Sequence, residues 1–334
     1  MSSDNALPAQ KRNLPLLATR DNIEGRTYIV TGANTGLGFE AAKHLASLGA
    51  AKVILAVRNT ITGQAAKQEI DTAAGTTDKD VVEVWPLDLC SYDSVKAFAK
   101  RAKTELERID GLIENAGLAQ ARREMAEGHT VQVTVNVLST FLLAVLLLPV
   151  MSRKGKKFGT QSRLTIVTSS MGFTVKDQWE KINRDPLTGM DDEALHFMQT
   201  YSLTKLVENL AVHHLARELW PVEKTGVIIN TVCPGLCVTK LGRDSPPDVM
   251  ANLRHLHALF GRSAEDGSRT LLHGVVGGIE THGKYLDSCE IAEDTVMPDW
   301  AKDPNMQKQA WDVITKELDA VEIGCVAKML ECAA

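Results

Sequence analysis

Tyr201 and Lys205 stand four residues apart in a segment of helical pattern, QTYSLTKLVENLAVHHLARELW, so both side chains leave one helix face about one turn apart. A lysine cation at that spacing favours the phenolate and lowers the phenol from its ordinary pKa of about 10, which brings proton transfer closer to neutral pH. By itself the spacing is that of many surface pairs. Its weight comes from an earlier run, YIVTGANTGLGFEAAKHLASLG, which begins as a strand, turns through Gly32, Gly36 and Gly38 and continues as a helix. Glycines suit that turn because the backbone must reverse tightly and come close to a pyrophosphate, which then sits on the N-terminal amides of the helix.

The elements that must position these groups alternate along the chain. TYIVTGA, KVILAV, VVEVWPLDL, GLIENAG, SRLTIVTSS and GVIINTVCPG read as strands. Helical patterns separate them: one ending near Gly49, one near Ile61 to Ala73, one in SYDSVKAFAKRAKTELE, an apolar one around Val131 to Leu148 and one from Gln199 to Leu219. The alternation predicts βαβ units, hence a single α/β domain of the Rossmann type: a doubly wound parallel sheet with right-handed crossovers and helices on both faces. No fixed-period repeat or linker rich in Gly, Ser or Pro divides the chain. Residues 1–22 read as a flexible or docking arm and residues 23–334 as the domain, with a substrate-covering region at about 236–334. Within that region Met250, Leu253, Leu256 and Leu259 share a helical stripe that suits either core packing or a substrate lid.

The Gly-x3-Gly-x-Gly turn in TGANTGLG resembles the cofactor motif of the short-chain dehydrogenase/reductase family. Glu114 to Gly117 (ENAG), Asn136, Ser169, Tyr201 with Lys205, and Pro234 to Thr239 (PGLCVT) follow in family order, so the resemblance spans roughly residues 25 to 240. It implies an oxidoreductase that moves hydride between nicotinamide and a ketone, aldehyde or secondary alcohol. Ser169, with Ser170 as the fallback, would polarise the substrate oxygen. Tyr201 would carry the proton, Lys205 would hold the nicotinamide ribose, and Asn136 would hold a water that connects to the lysine. Gly32, Asn34, Thr35, Gly36, Leu37, Gly38, Asn115, Ala116, Gly117, Pro234, Gly235 and Thr239 would line the cofactor along with Tyr201 and Lys205. Asp88 and Leu89 would bracket the adenine, although a strand-end turn role for Asp88, with Ser91 capping the next helix, is an equal reading. TGANTGLG and LAVRN look most like the retinol-dehydrogenase-like branch, and the long insert and C-terminal extension resemble fungal enzymes of secondary metabolism.

The second strand ends in LAVRNT, where NAD enzymes of this architecture place an acid on the ribose hydroxyls. Val57 cannot accept such a bond, whereas Arg58 can pair with a 2′-phosphate, so Arg58 points to NADP(H), with Asn59 beside it among the cofactor-lining residues. Two departures from the family stand out. Glu114 replaces the usual Asn, and Tyr201 follows Ser169 by 32 residues, a longer interval than the family commonly shows. The insert, about 172–198, contains Trp179 and the acidic run Asp191, Asp192 and Glu193 and reads as an ordered excursion beside the site.

Composition narrows the partners. A formal net charge of −5 over 334 residues argues against nucleic acid, which demands clustered excess Lys and Arg. The six cysteines, Cys90, Cys233, Cys237, Cys289, Cys325 and Cys332, lack metal-site spacing, so no metal is expected and the thiols read as reduced. The first 25 residues carry Lys11, Arg12 and Arg20 without a continuous apolar core, which points to a cytoplasmic protein. Val137 to Met151 is apolar but short for a span, so it is expected to be a buried or subunit-packing helix rather than a membrane anchor, despite the basic tail of Arg153, Lys154, Lys156 and Lys157. By resemblance to family dimers, its Phe141, Leu142, Val145 and Leu146 and the Tyr201 helix would pack against a second copy in a homodimer. Two other functions compete: a redox-neutral cyclase or isomerase using the same site, and an NADP(H)-sensing regulator. Regulators of that kind usually lose the tyrosine or lysine, and this chain keeps both.

Overall fold

Strand β1 (Thr27–Thr31) is buried along its whole length, which explains why TYIVT reads as a continuous run of β-branched and aromatic residues: both of its faces are covered. The computed structural model describes residues 10–333. Among these residues β1 sits inside one eight-stranded sheet with β2 (Lys52–Val57), β3 (Val82–Pro86), β4 (Gly111–Glu114), β5 (Ser162–Val167), β6 (Val227–Cys233), β7 (Tyr285–Asp287) and β8 (Glu290–Ile291), in the order β8-β7-β6-β5-β4-β1-β2-β3. From β3 to β7 every pairing is parallel, with Ile29 opposite both Ile54 and Leu112; only β8 runs antiparallel, on β7. The chain winds outward through β2 and β3, then returns to the other side of β1 to start β4. That reversal opens a crevice at the carboxyl ends of β1 and β4.

The longer helices are α1 (Gly36–Ser47), α2 (Thr60–Ala74), α3 (Tyr92–Glu105), α4 (Thr140–Phe158), α5 (Lys176–Ile182), α6 (Pro186–Met190), α7 (Phe197–His214), α8 (Pro247–Phe260), α9 (Ala264–Val276), α10 (Pro304–Val321) and α11 (Cys325–Glu331). Successive strand residues feed opposite faces. Ile29, Ile54 and Leu112 join Phe98 of α3, Leu143 of α4 and Leu206 of α7 in one core. Val30, Val53 and Leu55 join Leu45 of α1 and Leu271 and Val275 of α9 in the other.

Helix α4 continues a turn of wider π geometry at Thr134–Ser139. The joint stretch Val131–Phe158 is long and apolar enough to cross a membrane, yet 89% of its apolar window is buried inside the fold. Much of its cover comes from the chain's own C-terminal end, since α10 packs along α7 and α11 along α4. This corrects the expectation of a partner on that face: Phe141, Leu142 and Val145 are buried and Leu146 is half-buried within one chain. A helix apolar all round demands cover without saying whose.

The expectation of a substrate cover running from 236 to 334 is corrected in the same way. Helix α9 is a core crossover helix, β7 and β8 extend the sheet, and α10 and α11 cover α7 and α4. That leaves the stretch up to Arg262, including α8. No α8 residue is buried, and Leu259 is 52% exposed, so core packing does not explain its stripe. The insert after Ser169 is helical and ordered, with Trp179, Leu187 and Met190 buried. Asp191 ties it to the short ribbon before α4, accepting from Thr130 N at 2.7 Å and pairing with His129 Nδ1 at 2.6 Å. At the other end of the chain, the Asp266 carboxylate accepts the amides of Asn13 and Leu14 at 3.0 and 2.6 Å, so this part of the arm is docked. Residues 1–9 of the arm lie outside the described residues.

Candidate active site

Thr31, the last residue of β1, closes the crevice. Its Oγ1 accepts the amides of Asn115 and Ala116, both at 2.9 Å, while Asn115 Nδ2 donates to Thr31 O at 2.8 Å. The loop after β4 is thereby fixed over the glycine turn. At Gly32 (φ +65°) an added Cβ would lie 3.1 Å from Ala116, and at Gly38 it would lie 2.5 Å from Asn115 Nδ2. Gly36 (φ +63°) opens α1 and faces the Thr239 methyl 3.5 Å from where its Cβ would be, so the loop after β6 reaches the same turn. Thr35 provides no side-chain cap for α1. The result is a helix N-terminus with free amides and glycines where side chains would fill the space, which fits a bound pyrophosphate. Leu37 turns away toward Gly267 of α9, and Asn34 Nδ2 donates to Thr62 Oγ1 at 2.9 Å.

At the ends of β2 and β3 the expected adenosine contacts divide. Arg58 is exposed, lies beside the Cys90 thiol, and forms no ion pair with a carboxylate among the described residues. Asn59 instead caps α2, its Oδ1 accepting from Ile61 N and Thr62 N at 3.0 and 3.1 Å. Asp88 Oδ1 accepts from Cys90 N at 2.9 Å, and Ser91 Oγ caps α3 by accepting from Ser94 N at 3.3 Å, so Asp88 is at least a turn residue. Leu89 is buried, and its carbonyl accepts from Ser139 Oγ at 2.7 Å.

Tyr201, Lys205 and Ser169 meet where α7 crosses the end of β5. Tyr201 is 7% exposed. Burial, then the charge of Glu208 and the nearby Cys233, hold its phenol above the ordinary range, while a hydrogen bond with Ser169 acts the other way. Ser170 instead faces Tyr285 and Cys233, so the geometry separates two serines that the sequence left open. Lys205 Nζ lies 5.8 Å from the Tyr201 ring centroid and donates to Glu208 Oε1 at 2.8 Å and to Val167 O at 2.9 Å. Asn136 is fully buried, and its amide braces the loop after β4: Oδ1 accepts from Leu118 N at 2.9 Å, and Nδ2 donates to Leu118 O and Thr204 Oγ1 at 3.0 and 3.1 Å. Its Nδ2 donors are thereby both engaged, while Oδ1 keeps a second acceptor position beside Gly117. Gly117 keeps the space beside Lys205 open, since an added Cβ would lie 3.5 Å from Nζ.

Several further residues support the site. Glu208 follows Lys205 by three on the same helix face, a signal that was present. Thr31 ends a strand next to the glycine turn, which was also legible. The clamp on the loop after β6 had no such signal: Gln10 Nε2 donates to Leu236 O and Gln10 Oε1 accepts from Leu236 N, at 2.8 and 2.9 Å, while the buried Arg262 donates Nη1 to Pro234 O at 2.8 Å. Gly235 (φ +75°) is required there because a Cβ would lie 2.4 Å from Gln10 Oε1. A cavity of about 340 Å³ lined by Gln132, Leu195, Phe197, Thr200 and Pro246, among others, reaches the residue next to Tyr201.

Comparison with known proteins gives a consistent result. Residues 26–179 match the family model described as short chain dehydrogenase. The short chain dehydrogenase/reductase dmxR8 of Cryptosporiopsis sp. is 39% identical over 307 residues, covering 91% of this chain and 93% of that protein. The short-chain dehydrogenase/reductase phmF of Phaeosphaeria nodorum is 34% identical over 316 residues, covering 92% of each. Among solved structures, a putative short chain dehydrogenase from Pseudomonas syringae superposes with TM-score 0.60 at 24% identity over 82% of this chain and 99% of that one. A second, from Shigella flexneri and complexed with NADP, superposes with TM-score 0.58 at 23% identity over 81% of this chain and all of the other.

Proposed function

Because the chain belongs to the short-chain dehydrogenase/reductase family, and is on that ground an oxidoreductase, we propose that it is NADP(H)-dependent and acts on a ketone, aldehyde or secondary alcohol, in a fungal secondary-metabolite route. The observation that carries the reading is the placement of Tyr201 beside Ser169 and one turn from Lys205, next to an α1 N-terminus left free of caps and side chains. Support for the phosphate-bearing cofactor is Arg58, exposed at the end of β2 without a carboxylate partner among the described residues, and the NADP in a structural neighbour. Support for the metabolic context is the fungal origin of the similar proteins.

In this reading the α1 amides and the glycines at 32, 36 and 38 hold the pyrophosphate, Arg58 the 2′-phosphate, and Lys205 the nicotinamide ribose. Bound NADP(H) supplies or takes up the hydride. The remaining chemistry belongs to the chain. Ser169 Oγ donates a hydrogen bond to the substrate oxygen and fixes its position. As that oxygen gains negative charge, Tyr201 Oη gives it a proton, and the adjacent Lys205 cation stabilises the phenolate left behind. In the oxidative direction Tyr201 takes the hydroxyl proton instead.

The test is a panel of ketones, aldehydes and secondary alcohols offered with NADPH or NADP⁺, followed by both cofactor absorbance and product identification. Stoichiometric cofactor consumption supports the reading. Product formed while the cofactor stays unchanged would assign a redox-neutral cyclase or isomerase instead.

A further inference from the structure

Along α7, Tyr201, Lys205 and Glu208 occupy one face at successive turns, with the lysine between the other two. Lys205 and Glu208 are both buried, and their ion pair of 2.8 Å is closed off from solvent. An ammonium has three N–H donors. Two of those on Lys205 are fixed by Glu208 Oε1 and Val167 O, so the direction of the third is determined by the first two. We propose that Glu208 is a positioning residue for the tyrosine–lysine pair: it aims the Lys205 ammonium and balances its charge, and thereby sets how readily Tyr201 ionises.

The surroundings leave Glu208 as the group that opposes Lys205. Glu208 is 1% exposed, and its second oxygen has no hydrogen-bond partner. Burial, opposed by Lys205 and by the Thr168 hydroxyl, moves its carboxyl up to about 7. Glu114, at the end of β4, is 2% exposed with neither oxygen in a hydrogen bond of normal geometry. Burial and then the charge of Glu208 hold it well above the usual carboxylate range despite the nearby Thr31 hydroxyl, which favours its neutral form over a second charge beside Lys205. From β6 the buried Cys233 thiol is pushed up to about 11, and from β7 Tyr285 is raised well above its ordinary value, so both are neutral at neutral pH. An ionised Glu208 therefore cancels much of the positive charge that would stabilise a Tyr201 phenolate. A protonated Glu208 leaves that charge unopposed.

The inference rests on Tyr201 being the proton-transfer group, and its test does not need turnover. Tyrosinate absorbance is titrated from neutral to alkaline pH in the cofactor-free full chain, and the Tyr201 contribution is taken as the part lost on Tyr201→Phe. Glu208→Gln, which keeps the shape and removes the charge, is expected to move that contribution about one pH unit or more downward. The alkaline limb of alcohol oxidation should follow. Glu208→Asp, which keeps the charge, should titrate close to the parent. Coincident titrations of the parent and Glu208→Gln would overturn the proposal, as would equal shifts in the Gln and Asp variants, which would reduce Glu208 to a packing role. Failure of the functional reading looks different: Tyr201→Phe would retain turnover while the titrations still separate.

Discussion

Trp311 of α10 meets Phe141 of α4 edge-on, with ring centroids 6.2 Å apart, inside the chain's own core. The face of α4 and α7 that a second copy was expected to cover is closed by residues of the same polypeptide. A second copy is therefore not expected to pack on Phe141, Leu142 and Val145, and a cross-link between copies at these residues would contradict this. Trp311→Ala should cost about 3–5 kcal/mol of stability, the usual range for deleting a buried aromatic side chain, read by denaturant unfolding.

Arg58 offers its guanidinium where an acidic residue would repel a 2′-phosphate. NADPH should bind more tightly than NADH, and Arg58→Ala should narrow the gap by roughly 10- to 100-fold, since charge-assisted bonds contribute about 1.5–3 kcal/mol. Fluorescence titration of both cofactors checks it. Equal affinities in the parent chain would remove the basis for NADP(H).

Strands β1, β2, β4, β5 and β6 were legible because they are buried almost throughout and so read as largely apolar, β-branched runs, whereas the short β7 and β8 gave no such run. The glycine turn and the Tyr201–Lys205 spacing were legible for the same local reason. What failed to show were choices made by tertiary packing. Sequence could not tell whether the apolar helix at Phe141 was covered by Trp311 or by another copy, nor whether Asn59 would face a cofactor or cap α2. Neither could it show that Ser169 rather than Ser170 meets Tyr201. Gln10 and Leu236 are 226 positions apart, and no local pattern signals a clamp over that distance. Glu114 was visible only as a departure from the family's Asn, and its relation to Glu208 required the fold.

Removing the lysine should expose the cost of its buried partner. Lys205→Ala leaves the Glu208 carboxylate without a counter-ion, a change that typically costs about 3–5 kcal/mol, besides any loss of cofactor affinity. The pH dependence has a definite sign. A carboxyl whose folded pKa is raised, here from 4.5 to about 7 with Lys205 present and higher without it, loses stability as pH rises between the unfolded and folded values. Thermal unfolding of Lys205→Ala should thus fall further below the parent at mildly alkaline pH than at mildly acidic pH. A pH-independent difference would show that Glu208 is not the group left exposed to the change.

In the proposed reaction Tyr201 gives and takes the proton at the substrate oxygen. Its most direct test is Tyr201→Phe, measured for NADPH affinity and for single-turnover rate on a substrate found in the carbonyl panel. Cofactor affinity should remain near that of the parent, because the phosphate contacts lie at the glycine turn and Arg58. The rate should fall by about 10²–10⁴-fold or more, the usual worth of a positioned general acid. A Tyr201→Phe protein that binds NADPH and turns over at the parental rate would contradict the account.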